Sequence, residues 1–188
     1  MIHPMATTRT SRPSWQLLVD ALEREVDPVR RRNLDVVVRH VTCEVAGDVA
    51  GILATLVPEP VYRIWGASTS RGPCGRADVR AFYEDLVATG KNRLEFRIGR
   101  VVADEATVVT EGEFRFAYPG TWVRGRSLDD GTAVAEDGWY LVAYRAVVLW
   151  PIDDAGLIEG EEIYAGEPPR LLRRLASGEL PHLGPPGR

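Results

Sequence analysis

RLEFRIGRVVADEATVVTEGEFRFAY, residues 93–118, decides the architecture. Two runs of β-branched and aromatic residues alternate with polar ones on either side of Asp104-Glu105, as half-buried strands joined by a turn do. Downstream, WYLVAYRAVVLWPI (139–152) and LIEGEEIYAG (157–166) continue the pattern, separated by the hairpin signal Asp153-Asp154-Ala155-Gly156. Upstream, VYRIWG (61–66), bounded by Pro and Gly, reads as a further strand.

Ahead of these strands the apolar period changes to three and four. Trp15, Leu18, Val19, Leu22 and Val26 form one stripe of an amphipathic helix that Asp27-Pro28 ends. A second helix runs from about Pro28 to Ala46 and is closed by Gly47, and Asp48 caps a third, VAGILATL (49–56). RADVRAFYEDLVATG (76–90) is a fourth, with Val79, Phe82, Tyr83 and Leu86 at helical spacing. Beyond Pro168-Pro169, RLLRRLA (170–176) reads as a short helix. Residues 119–138 form a long polar loop, placed either as a lid or as a plain insertion. Helices first and an antiparallel meander afterwards predict an α+β fold, with helices packed on one face of a curved sheet. The expected organisation is one domain over residues 14–176, a disordered leader over 1–13 and a tail over 177–188.

Composition narrows the function classes. With 45% hydrophobic and 27% charged residues the chain is of ordinary globular make-up. A net charge of -4, without basic runs interleaved by aromatics, argues against nucleic-acid binding. Nowhere do about 18 apolar residues run together, so no membrane span is expected, and the N-terminal residues lack the apolar core of a secretory signal. Cys43 and Cys74 are too few for a disulfide framework and belong to no CxxC pair, which speaks against structural zinc and fits a reducing, cytoplasmic setting. The glycines at 72 and 75 lack the Lys and Ser/Thr of a phosphate loop, and no cofactor is expected.

The order of elements resembles the nuclear-transport-factor-2-like superfamily, which includes ketosteroid isomerase and the SnoaL-type polyketide cyclases. The resemblance rests on RHVTCEVAGDVAGILATLVPEPVYRIWG (39–66), GRADVRAFYEDL (75–86), VVADEATVVTEGEFRFAY (101–118) and AGLIEGEEIYAG (155–166), and covers about residues 34–167. It implies a cone whose wall is the concave face of the sheet and whose mouth the helices close. On that overlay Thr110, Gly112, Phe114, Phe116 and Tyr118 point inward, as do Ala146, Val148 and Trp150 on the next strand and Glu161, Ile163 and Ala165 on the last. Glu111, Glu113, Arg115 and Arg145 point away, where relatives often dimerise, so a homodimer through the outer sheet face is expected.

The resemblance places His40 at the isomerase's oxyanion-stabilising Tyr and Tyr83 at its supporting Tyr. The isomerase's general-base Asp falls on Ile64 and its second oxyanion-hole acid on Val148, however. The carboxylates of limonene epoxide hydrolase fall on Gly112 and Ile163, the dyad Asp of the dehydratases falls on Val45, and the Tyr-x-Asp ending of many SnoaL-like strands becomes Tyr164, Ala165, Gly166. No relative's standard active site transfers.

What the residues themselves offer is a different set. His40 and Glu44 stand at i and i+4 on one helix, where the carboxylate would orient the imidazole. Glu161 would face them from the opposite wall among Phe114, Phe116 and Trp150, an apolar surround that favours a neutral carboxyl. The expected catalytic residues are therefore His40, Glu161 and Tyr83. The expected substrate wall is Glu44, Tyr62, Trp65, Thr110, Phe114, Phe116, Tyr118, Val148 and Trp150, with Phe96 and Tyr144 either lining the site or filling the core. One reading is a cofactor-free isomerase, cyclase or dehydratase acting on a polyketide-, steroid- or terpenoid-like molecule. The other is a non-catalytic binding or assembly module of the same fold.

Overall fold

The computed structural model describes residues 12–66 and 71–184. All but the last two residues of the expected leader, residues 67–70 of the loop before the fourth helix, and the last four residues of the expected tail lie outside them. Four helices, α1 (Gln16–Arg24), α2 (Pro28–Ala46), α3 (Val49–Ala54) and α4 (Arg76–Ala88), precede or flank a curved six-stranded sheet. Its strands are β1 (Arg63–Trp65), β2 (Glu95–Ala103), β3 (Thr107–Pro119), β4 (Trp139–Pro151), β5 (Glu162–Ala165) and β6 (Arg170–Arg174).

The helix ends follow from local chemistry. The Asp27 carboxylate accepts from the backbone N–H groups of Val29 and Arg30, each at 3.0 Å, and Pro28 takes the first position, where its missing N–H costs nothing. Gly47 closes α2 in the left-handed conformation, and Asp48 then caps α3 through the Gly51 N–H. The buried stripe of α2, which includes Leu34, Val37 and Val41, packs with Ile52, Leu53 and Val79 against Phe96, Val108 and Val148 of the sheet.

The sheet order is β1-β5-β4-β3-β2. β4 is long enough to serve two partners along one edge: Ala146–Leu149 pair with β5, and Tyr140–Ala143 with β6. β3 runs antiparallel to β4 over its whole length, with Phe114 opposite Tyr144 and Val108 opposite Trp150. A register shift between Ile98 and Arg100 bends β2, and such bulges curve a sheet. On the outer face Glu111 pairs with Arg145 and Glu113 with Arg115.

Residues 170–174 are a strand, not the expected helix. Leu171, Leu172 and Leu175 suit a helical stripe, but the free edge of β4 offers backbone partners that the local pattern does not reveal. Leu171 turns one way, into a cluster with Val123, Tyr140 and Val142, while Leu172 and Leu175 pack with Ala117, Leu141 and Leu183. The 119–138 loop is tied at its base by the Gly120 N–H donating to the Gly138 carbonyl at 2.8 Å, and begins with a 3-10 turn, Gly120–Val123.

Candidate active site

Between the concave face of the sheet and helices α2 and α4 lies a cavity of about 360 Å³. Its wall is apolar: Phe96 of β2, Phe114 and Phe116 of β3 and Tyr144 of β4 form a stack of rings, with Phe96 and Phe114 nearly parallel at 4.0 Å between centroids. Ile64, Phe82, Leu86 and Ile163 complete much of the remainder. Two carboxyl groups face this space, Glu44 from α2 and Glu161 from the turn into β5.

Local backbone geometry delivers Glu161. Gly160 has φ of 153°, and a Cβ there would lie 1.9 Å from the Val61 carbonyl oxygen, so only glycine lets the chain press against Val61 at this point. The Arg63 N–H then donates to the Glu161 carbonyl at 2.7 Å, fixing the direction of the side chain.

The Glu161 carboxylate receives the Tyr83 hydroxyl at 2.7 Å, and His40 Nε2 lies 3.2 Å from the same oxygen. Behind this pair the hydrogen bonds determine the imidazole's orientation. Thr55 donates its proton to the Ile52 carbonyl at 2.6 Å, so at 2.7 Å its oxygen must accept from His40 Nδ1–H. Nε2 is left facing the Tyr83 oxygen at 3.0 Å and Glu161. One proton serves that contact: on Nε2 it makes an imidazolium–carboxylate pair, and on Glu161 a neutral pair. Because Tyr83 gives its proton to Glu161, the Tyr62 hydroxyl, 2.8 Å away, donates to Tyr83. Burial, and after it the negative charge of Glu161, holds both phenols well above the ordinary tyrosine range, so they remain neutral donors.

Glu44 makes no hydrogen bond to another side chain among the described residues. Burial against the apolar wall, together with the charge of Glu161, pushes its carboxyl up to about 8. Near neutral pH the cavity therefore holds one protonated carboxyl and one carboxyl tied to a His and a Tyr, a pairing that can give a proton at one point and take one at another.

The sequence-derived residues divide accordingly. Glu161, Tyr83, Glu44, Tyr62, Phe114, Phe116 and Trp150 line the cavity, as do Phe96 and Tyr144. His40 is fully buried behind Tyr83, and its partners are Thr55, Tyr83 and Glu161 rather than Glu44. Helical spacing put His40 and Glu44 on one face, but the imidazole turns toward α3 and α4. Four expected wall residues lie elsewhere. Trp65 is 48% exposed and stacks on Tyr164 outside the cavity, because β1 pairs Trp65 with the outward-facing Tyr164 of β5. Thr110 is buried and accepts the Trp150 Nε1–H at 3.0 Å, which makes it a support for that ring. Val148 is filled-in core, and Tyr118 lies one step beyond the cavity, beside Trp122. Thr55 had no signal in the sequence, since a lone Thr after a short helix is unremarkable. Phe82 and Leu86 share the helical spacing of Tyr83 and were open to discovery by it.

A family model described as a SnoaL-like domain matches residues 37–158. No curated protein matches the chain. Among solved structures the chain is similar to the epoxide hydrolase/cyclase-like enzyme SalBIII, described as acting in pyran ring formation in the polyether salinomycin (14% identity, 72% of this chain and 92% of that one, TM-score 0.52). It is similar to a protein of unknown function with a cystatin-like fold from Methylobium petroleophilum PM1 (18%, 79% and 81%, TM-score 0.52). It is also similar to RV0760c from Mycobacterium tuberculosis, solved in complex with estradiol-17beta-hemisuccinate (17%, 73% and 94%, TM-score 0.50). At these identities the likeness is one of fold. No helix among the described residues is long and apolar enough to cross a membrane.

Proposed function

The chain belongs to the SnoaL-like domain family, and from that premise we propose that it is a cofactor-free acid–base enzyme of the cyclase or isomerase kind, acting on an apolar ring-bearing small molecule. One observation carries the reading: Glu161 is held by Tyr83 and His40 at an apolar cavity that a second, protonated carboxyl shares. Glu161 takes a proton from a carbon beside a carbonyl, or from an internal hydroxyl. The electrons released move to the carbonyl oxygen or open a strained C–O bond, and Glu44 supplies the proton that the resulting oxygen requires. His40 and Tyr83 keep Glu161 in place and take up part of its change in charge; they are positioning residues. The names of SalBIII and of the steroid-bound relative agree with a ring-forming or ring-binding role.

The test is incubation with a panel of apolar ketones and epoxy-alcohols, followed by mass spectrometry. Glu161→Gln is expected to lower product formation by about 10²–10⁴-fold while leaving ligand affinity nearly unchanged. Full turnover in that variant contradicts the role of Glu161. Binding of panel members without conversion favours a small-molecule-binding module instead.

For assembly, we infer a homodimer through the outer sheet face, supported by the part-exposed Val102, Trp65 and Tyr164 there. Sedimentation equilibrium of the wild type and of Trp65→Arg checks this: a dimer that the substitution weakens supports it, and a monomeric wild type refutes it.

A further inference from the structure

Pro169, which lines the cavity that holds Glu44 and Glu161, also lines a neighbouring open groove of about 500 Å³ whose walls include Lys91, Tyr118, Trp122, Arg126 and Val142. Rings lead from one to the other without a break: Phe114 to Phe116 at 6.3 Å, Phe116 to Tyr118 at 5.4 Å, and Tyr118 to Trp122 at 5.3 Å. Along β4 the wall descends from Trp150 to Tyr144 and on to Val142. At about 3.4 Å per residue, the first of these steps alone spans roughly 20 Å of extended strand.

The two ends of this track differ in charge. Glu44 and Glu161 occupy the inner end. At the outer end Lys91 Nζ stands 5.4 Å from the Trp122 ring, a cation–π distance, and the exposed Arg126 gives one guanidinium N–H to the Pro169 carbonyl. Neither cation forms an ion pair with a carboxylate among the described residues, whereas Arg124, Arg170 and Arg174 nearby each do. An anionic group would thus be repelled from the inner end and attracted to the outer one.

We propose that the pocket takes an elongated apolar molecule that carries a carboxylate at one end, seated on Lys91 and Arg126 beside Trp122, with its opposite end delivered to Glu161 and Glu44. The orientation rests on the reading of Glu161 as the reacting base; the anion subsite itself does not. The carboxylate orders the substrate along the ring track before chemistry, and the two cations, partly in solvent, give selectivity that salt weakens.

The probes are laurate and 1-dodecanol, equal in chain length and used below micellar concentration, with affinities measured by calorimetry at low and high salt. Laurate is expected to bind about 3–10-fold more tightly than dodecanol at low salt, with the difference shrinking at high salt. In Lys91→Gln/Arg126→Gln the difference disappears while dodecanol affinity stays the same. Equal binding of the two probes by the wild type, a laurate preference that survives the double substitution, or binding of neither probe overturns the proposal. Glu161→Gln retains the laurate preference whether or not it abolishes turnover, so failure of the anion subsite and failure of the catalytic reading are read separately.

Discussion

Glu44 projects from α2 into an apolar cavity beside a second carboxylate, and its carboxyl is raised from the ordinary 4.5 to about 8. The sign of the consequence is fixed by linkage. Between those values the folded chain keeps a proton that the unfolded chain has released, so the contribution to stability is fully present below pH 4.5 and is lost as pH rises through about 8. The urea midpoint should therefore fall between pH 5 and pH 8.5, and Glu44→Gln should flatten that slope; an equal slope in the variant would show that other groups cause it. The candidates came from two sources, the resemblance, which placed His40 and Tyr83 at the isomerase's tyrosines, and strand alternation on the last strand, which turned Glu161 inward. Their partners were not legible. Spacing along α2 pairs His40 with Glu44, whereas the fold pairs His40 with Thr55 and Tyr83 through contacts that no local period encodes.

The clearest departure among the elements is β6. Residues 170–176 carry leucines at spacings that fit a helix, yet the chain runs straight because the lower edge of β4 is open to pairing at Tyr140–Ala143. Leu171→Ala should cost about 2–5 kcal/mol in urea unfolding, as a buried leucine does, and a loss below about 1 kcal/mol would place Leu171 on a surface helix instead. The other boundaries were readable where side-chain chemistry sets them. Asp27-Pro28 starts α2, Gly47 ends it, and alternation marks β2, β3 and β4. The resemblance, joined to a two-residue period, also gave the inward face of β3, but not which inward residues meet open space: Phe114 and Phe116 do, while Thr110 on the same face holds Trp150.

Taken whole, the molecule brings together residues far apart in the chain: His40 and Glu44 from the second helix, Tyr83 from the fourth and Glu161 from the turn into the fifth strand. The SnoaL-like arrangement of helices over a curved sheet was legible from the order of elements, and with it the existence of an apolar interior. The chemistry was less so: the carboxylates that the resemblance implied fall on Ile64, Val148, Gly112, Ile163 and Val45, and Glu44 and Glu161 stand at other positions. On the proposed mechanism Glu44 and Glu161 share that interior as donor and acceptor, and titrating the Glu44 side-chain carboxyl by carbon NMR in the wild type and in Glu161→Gln decides whether they do. A midpoint near 8 that moves down when Glu161 loses its charge, yet stays above the ordinary range because burial remains, is the predicted result. A Glu44 midpoint near 4.5 in the wild type, or one indifferent to Glu161, would contradict it.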